Sequence, residues 1–163
     1  MPAPYLRPKD NQSPYTLVLD LDETLLHFEE INDNEGQLSI RPGADSFLKL
    51  LSQYFEIVIF TAGTEEYADW ALSFMDNYSC ITHRLYRQHA LPFNGYYVKD
   101  LSRVGRDLSK TIIVDNIAEN FQLQPNNGIF IKTWISDPKD TCLFDLAPLL
   151  IKMVKSGIAD VRD

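Results

Sequence analysis

Cysteine is scarce: the 163-residue chain has only Cys80 and Cys142, and no C-x-x-C spacing. That excludes a disulfide framework and a thiolate zinc site, and predicts two buried free thiols in a reducing compartment. Long apolar runs are also missing. No stretch approaches the roughly 20 residues of a membrane span, and the proline-rich, polar residues 1–11 do not read as a secretory leader. The expectation is a nuclear or cytoplasmic protein with no membrane segment. Basic charge is in deficit, with 15 Lys and Arg against 23 Asp and Glu, a net charge of −8 and a pI near 4.8. This argues against direct binding to nucleic acid, which relies on neutralising phosphates. An anionic substrate is still admitted, because a metal ion and a few local cations can reverse the field inside a cleft. There are no repeats and no low-complexity segments. A hydrophobic content of 45% with 23% charged residues is that of one folded domain with a substantial core, and the charge balance suggests a monomer.

Residues 15–21, 56–61, 111–116 and 128–134 are apolar runs of strand length. Residues 44–54, 65–75 and 140–155 carry apolar side chains at helical spacing, with Pro148 expected to kink the last helix and Gly157 to stop it. The polar tip 32–36 between two short mixed segments predicts a β-hairpin flap over 27–40. Residues 81–97 hold aromatics, histidine and arginine, with turn signals at Pro92 and Asn94-Gly95, and predict short antiparallel strands; 99–108 read as a loop with a helical turn. Unbroken apolar strands alternating with helices indicate an α/β protein whose parallel sheet is covered on both faces. Residues 1–14 read as an arm, 15–157 as the domain and 158–163 as a tail.

In open sheets of this type, ligands bind beyond the carboxyl ends of the strands. Asp20 and Asp22 stand at that end of the first run, Thr61 at the second, and Asp115-Asn116 at the third. Each has a plain alternative: a solvated acidic turn, a cap for the next helix, an ordinary turn. Lys99, taken alone, is a surface charge. Three strands delivering polar groups to one edge favour a site. Asp20, Asp115 and Asn116 are hard oxygen ligands suited to magnesium. Asp20 near a phosphoryl group suits a nucleophile, and Asp22 suits the acid and base. Thr61, Lys99 and the amides around Leu21 and Asp22 suit phosphate neutralisation, and Arg87 suits a substrate contact. His27, His83 and His89 lack metal-ligand spacing.

Asp20-Leu21-Asp22-Glu23-Thr24-Leu25 resembles the D-x-D-x-T signature of the haloacid dehalogenase (HAD) superfamily. Arg41-Pro42-Gly43, Phe60-Thr61-Ala62, Tyr67-Ala68-Asp69, Tyr97-Val98-Lys99-Asp100-Leu101-Ser102 and Gly105-Arg106-Asp107-Leu108 resemble the FCP/SCP-type, NLI-interacting factor-like phosphatases. These act on the phosphorylated C-terminal domain (CTD) of RNA polymerase II and include Dullard-like enzymes. The resemblance runs from about residue 15 to 153. It implies a Rossmann-like HAD fold: a central parallel sheet flanked by helices, a hairpin flap, a small antiparallel insert and no large cap domain. It also implies Asp20 as nucleophile, Asp22 as acid/base, and Thr61 and Lys99 on phosphate. Magnesium ligands would be Asp20, the Asp22 carbonyl and Asn116, with Asp115 in or just behind that shell, and Arg87 would touch the peptide. The flap, with Glu29 and Glu30, does not resemble the apolar pocket behind the proline preference of small CTD phosphatases. With only the 81–97 insert to cover the site, it stays open, which suits a phosphorylated protein or peptide. The expectation is a magnesium-dependent phosphoserine/phosphothreonine phosphatase. The alternatives are a catalytically silent Tim50-like binding module and a Dullard-like phosphatase of a lipid-pathway protein.

Overall fold

Residues 1–8 and 13–163 are described by a computed structural model; the remainder of the expected arm, 9–12, lies outside the described residues. Three of the apolar runs form the middle of a five-stranded parallel sheet. β1 (Thr16–Leu19) lies between β4 (Glu56–Phe60) and β8 (Thr111–Asp115), paired Leu17 to Ile57 and Leu17 to Ile112. All three strands are buried at every residue, as strands covered on both faces must be. β5 (His83–Leu85) and β9 (Gly128–Phe130) are the edges, giving the order β5-β4-β1-β8-β9.

Alternation along each strand divides the core. Leu17, Leu19, Ile57, Ile59, Ile112 and Val114 face one way. There they meet the apolar sides of α1 (Ala44–Leu51), α2 (Glu65–Leu72) and α3 (Cys142–Lys155). Val18, Val58, Phe60 and Ile113 face the other way, against Leu85, Leu101, Val104, Phe121 and Leu6 of the arm. The second face is therefore covered by short 3-10 turns and the chain terminus, while all three α-helices bury their apolar sides on the first. Each inner helix stops about three residues before its apolar period does. α3 continues through Pro148, whose missing N–H leaves the Phe144 carbonyl without its helical donor.

Two smaller sheets rise from this frame. β2 (Leu26–Asn32) and β3 (Glu35–Ile40) pair antiparallel as the expected flap, closed at its base by Leu26 opposite Ile40. The fully buried Arg41 pins that base. Its Nε and Nη2 hold Asp140 at 2.8 and 3.1 Å, and Nη1 reaches the Thr24 carbonyl at 3.0 Å. β6 (Leu91–Phe93) and β7 (Tyr96–Val98) form a second hairpin. Asn94 and Gly95 sit at φ of 49° and 83°, the paired positive values a two-residue turn of this hand requires.

The antiparallel expectation for 81–97 holds for β6 and β7 only. β5 pairs parallel with β4, His83 beside Val58, and extends the main sheet. With three residues and only Leu85 buried, it carries no apolar run to announce a parallel strand. The last strand ends at Phe130, four residues short of the run: Ile131 still donates to the Asp115 carbonyl at 3.0 Å, but the buried Trp134 pairs its N–H with the Glu23 carbonyl at 2.9 Å, away from the ladder. Cys80 and Cys142 are free, and half-buried instead of buried. Both termini are anchored. Tyr5 and Leu6 donate backbone hydrogen bonds to Arg103 and Val104, and Val161 donates to Ser109. No helix among the described residues is long and apolar enough to cross a membrane.

Candidate active site

The carboxyl edge of β1, β4 and β8 opens into a cleft of about 330 Å³ whose walls include Asp20, Asp22, Thr61, Arg87, Tyr97 and Asn116. Five of the seven expected positions that define the site (Asp20, Asp22, Thr61, Asn116 and Arg87) thus share one volume, as do the cleft-forming neighbours Ala62 and Gly63. Lys99 and Asp115 are wholly buried and stand behind it.

Lys99 follows β7 directly, and its backbone N–H is tied to the Asn120 carbonyl at 2.7 Å. Its ammonium bridges Asp20 Oδ1 at 2.8 Å and Asp115 Oδ2 at 2.6 Å. A buried lysine that formed no such pairs would lose its proton. Burial does pull Lys99 down, but the charges of Asp20 and Asp115 outweigh it and hold the ammonium above its ordinary range. Asp20 feels the reverse balance. Burial pushes its carboxyl up, Lys99 pulls back part of the way and Asp115 pushes up again, which leaves it at about 7. Three charged groups in so little solvent leave one negative charge in excess, and that excess invites a further cation.

The oxygen atoms available to a divalent cation fit one. Thr24 Oγ1 donates to Asp20 Oδ2 at 2.9 Å and lies 3.4 Å from Asn116 Oδ1. A single hydroxyl proton satisfies the nearer oxygen, leaving Asn116 Oδ1 short of a donor while its amide is fixed on Thr133 at 3.0 Å. Among the described residues no donor reaches the Asp22 carbonyl. Asp20, the Asp22 carbonyl and Asn116 are hard ligands of the kind magnesium takes, with water completing the shell. Asp115 differs. Besides Lys99 it accepts from the Ile117 N–H at 3.0 Å and from Asn120 Nδ2 at 3.3 Å, and it has no exposed surface. These bonds tie it to Lys99 and the turn, which suits the place just behind the shell that the resemblance allows it. Among the described residues no group of three His, Cys, Asp or Glu side chains is gathered as a metal cluster; the set here is mixed carboxylate, amide and carbonyl.

The phosphate side of the cleft is equally open. Thr64, not Thr61, caps α2 through the Tyr67 N–H. Thr61 Oγ1 accepts from the Gly63 N–H at 2.9 Å, and its own proton has no acceptor among the described residues. The Leu21 and Asp22 N–H groups likewise have none, so three donors converge from β1 and β4. Arg87 uses Nε to hold the Ala62 carbonyl at 2.7 Å and lies over the Tyr97 ring at 5.2 Å, and its Nη groups have no acceptor among the described residues. Asp22 is half-buried, and Tyr67 donates a very short hydrogen bond to its Oδ1. Burial raises the Asp22 carboxyl above its ordinary value, with the Tyr67 bond opposing.

Tyr67, Thr24, Asn120 and Arg41 are the members that sequence reasoning did not assign. Thr24 was signalled by its place in the D-x-D-x-T signature. Tyr67 looked like one more apolar position of a helix, and nothing in the local pattern marks Asn120. His27 pairs with Glu23 at 2.9 Å and His89 accepts from the Tyr86 N–H, so neither turns toward the cleft chemistry.

A family model described as NLI interacting factor-like phosphatase matches residues 15–162. The chain is 44% identical over 162 aligned residues to a probable C-terminal domain small phosphatase of Dictyostelium discoideum, covering 90% of this chain and 52% of that protein. It is 42% identical over 151 residues to the mitochondrial import inner membrane translocase subunit tim50 of Aspergillus fumigatus, covering 93% of this chain and 30% of that one. The chain therefore spans about half of the first relative's length and less than a third of the second's. Among solved structures, Fcp1, an essential RNA polymerase II CTD phosphatase, superposes with a TM-score of 0.75 at 15% identity, over 91% of this chain and 68% of that one. At that identity the likeness is one of fold.

Proposed function

The chain belongs to the NLI interacting factor-like phosphatases, and on that premise we propose that it is a magnesium-dependent phosphatase of phosphoserine and phosphothreonine in proteins, working through an aspartyl-phosphate on Asp20. The observation that carries the reading is the Asp20 carboxylate at the cleft, backed by a fully buried Lys99 at 2.8 Å. A surface built only to bind a partner has no use for a buried cation paired with a largely buried acid at the floor of a cleft.

A substrate phosphoryl group is received by the Thr61 hydroxyl and the Leu21 and Asp22 N–H groups. An Asp20 oxygen attacks phosphorus; the new O–P bond forms as the bond to the serine or threonine oxygen breaks, and Asp22 passes a proton to that oxygen. In the second half-reaction Asp22 takes a proton from water, the water oxygen attacks phosphorus, and the bond to Asp20 breaks to release inorganic phosphate. Lys99 keeps Asp20 ionised for the first step and stabilises it as a leaving group in the second. Magnesium, held by Asp20, the Asp22 carbonyl and Asn116, supplies neutralisation of the phosphoryl oxygens when bound. Arg87, anchored on the phosphate loop through Ala62, directs its Nη groups to the substrate main chain or phosphate. The open cleft favours a polypeptide, and a phosphorylated RNA polymerase II CTD peptide is the first substrate to try, given what Fcp1 acts on.

The 42% likeness to tim50 supports a second reading, a binding module on the same fold. Hydrolysis of an aryl phosphate with and without magnesium, by the wild type and by Asp20→Asn, separates the two. Magnesium-dependent turnover lost by about 10⁴-fold or more in the variant is the expected result. A folded wild type with no turnover favours the binding module. Turnover of small esters without any phosphopeptide would remove the protein-substrate part of the proposal.

A further inference from the structure

Asp22 has two carboxyl oxygens, and the structure treats them differently. Tyr67 Oη donates to Oδ1, while among the described residues no donor reaches Oδ2. We infer that Tyr67 is the positioning residue of the general acid: it takes Oδ1 and reserves Oδ2 for the proton exchanged with the leaving oxygen and then with water. The inference rests on the reading of Asp22 as acid and base given above, and deepens it.

The chemistry of the pair fits both halves of the cycle. A phenol is a donor at neutral pH. When Asp22 is ionised, Oδ1 accepts from it as a carboxylate oxygen. When Oδ2 carries a proton, Oδ1 is the carbonyl-type oxygen and still accepts. The Tyr67 bond therefore persists through proton transfer in either direction, and the carboxyl group has no cause to rotate between the two steps. A carboxyl free to turn would present either oxygen at random and lose part of the alignment on which acid catalysis depends.

Tyr67 is itself held on several sides. Its backbone N–H is taken by the α2 cap Thr64. Its ring meets Phe28 of the flap edge-on at 6.0 Å and Trp70 at 6.2 Å. A methyl group built at Gly63 would stand 3.1 Å from the ring's Cδ2, so the absent side chain there is what lets the ring lie across the phosphate loop. The hydroxyl is aimed by packing from the flap, the helix and the loop together. A tyrosine serving only as apolar filling needs no partner for its hydroxyl in a carboxylate that lines the cleft.

The test is the dependence of kcat/KM on leaving-group basicity, because kcat/KM reports the step that transfers phosphoryl to Asp20. Aryl phosphates leave without help, whereas a serine oxygen needs a proton. Phenylalanine keeps the ring packing, so Tyr67→Phe is the variant of choice, compared with Asp22→Asn and with the double variant. Tyr67→Phe should stay within roughly threefold of wild type on p-nitrophenyl phosphate, and lose roughly 10- to 100-fold on a phosphoserine peptide, below the full span of general acid catalysis. The double variant should be no worse than Asp22→Asn. A loss of equal size across the series, or no loss on the peptide, overturns the assignment; the first would make Tyr67 a substrate contact or a structural clasp. A wild type inactive on every member overturns the phosphatase reading itself, and this inference with it.

Discussion

At the scale of single residues, Arg41 and Asp140 make the clearest stability prediction. Both are buried, and the guanidinium holds the carboxylate through two hydrogen bonds while also reaching the carbonyl of Thr24, whose hydroxyl donates to Asp20. Removing one partner of such a pair strands the other charge, so Asp140→Asn should cost roughly 3 kcal/mol in denaturant unfolding. The hydrogen bonds from Arg41 lower the Asp140 carboxyl below its ordinary 3.8, against the opposing effect of burial. A lowered folded value means that the stabilisation is present above the unfolded pKa and is lost as pH falls through the folded one. Wild-type stability should therefore drop below pH 3.8, and the Asn variant should show a shallower acid slope over the same window. The gathering of Asp20, Asp22, Thr61 and Asn116 at one cleft was readable from the sequence because each stands at a strand end beside a turn. Arg41 was visible only as part of a motif, since its partner is 99 residues away and no local pattern reports so distant a pairing.

At the scale of elements, the buried central strands were legible because burial on both faces demands an uninterrupted apolar run. The edge strand β5 escaped because an edge of three residues makes no such demand. The helices came out shorter than their periodicity for a related reason. The terminal apolar residues Tyr54 and Met75 pack on the core from the turn beyond the helix, so the period of the pattern outlives the hydrogen-bonded coil. α3 offers a test. Pro148 is exposed in the middle of a 14-residue helix and is not packed into its core-facing stripe. Pro148→Ala restores a donor to the Phe144 carbonyl and should stabilise by about 2 kcal/mol, somewhat less than the host–guest difference. For a domain of this size that raises the thermal midpoint by roughly 5 °C.

At the scale of the whole molecule, a protein of net charge −8 is read here as acting on an anion. The flap adds to the contrast, with Glu29, Glu30, Asp33 and Glu35 all exposed, while Arg87 is a basic residue in the cleft wall. Phosphopeptides with basic flanks should be turned over with a kcat/KM roughly tenfold above acidic-flanked ones at low ionic strength, as expected for charge steering. The gap should narrow as salt shortens the screening length toward 10 Å near 0.1 M. Equal rates for both peptides at low salt would remove the flap from the specificity argument. The fold class and the carboxyl-edge location were readable from strand order and composition. The division of the sheet into a helical face and a face of short turns was not, because 3-10 turns leave no periodic trace.

Tyr5, Leu6 and Val161 all dock on the segment from Arg103 to Ser109, which leads into the start of β8, while the Tyr5 ring also meets His89 edge-on, in the turn that carries Arg87 to the cleft. The two ends of the described chain are thus tied to one segment, the last residues at its β8 end and the first ones nearer the cleft. A circular permutant that links them with a short peptide and opens new ends at the exposed flap tip, beside Asn34, keeps every strand of the main sheet intact. A fluorescent reporter belongs after residue 163, beside Ser109 at the start of β8, whereas one placed before residue 1 would stand near His89 and the Arg87 wall of the cleft.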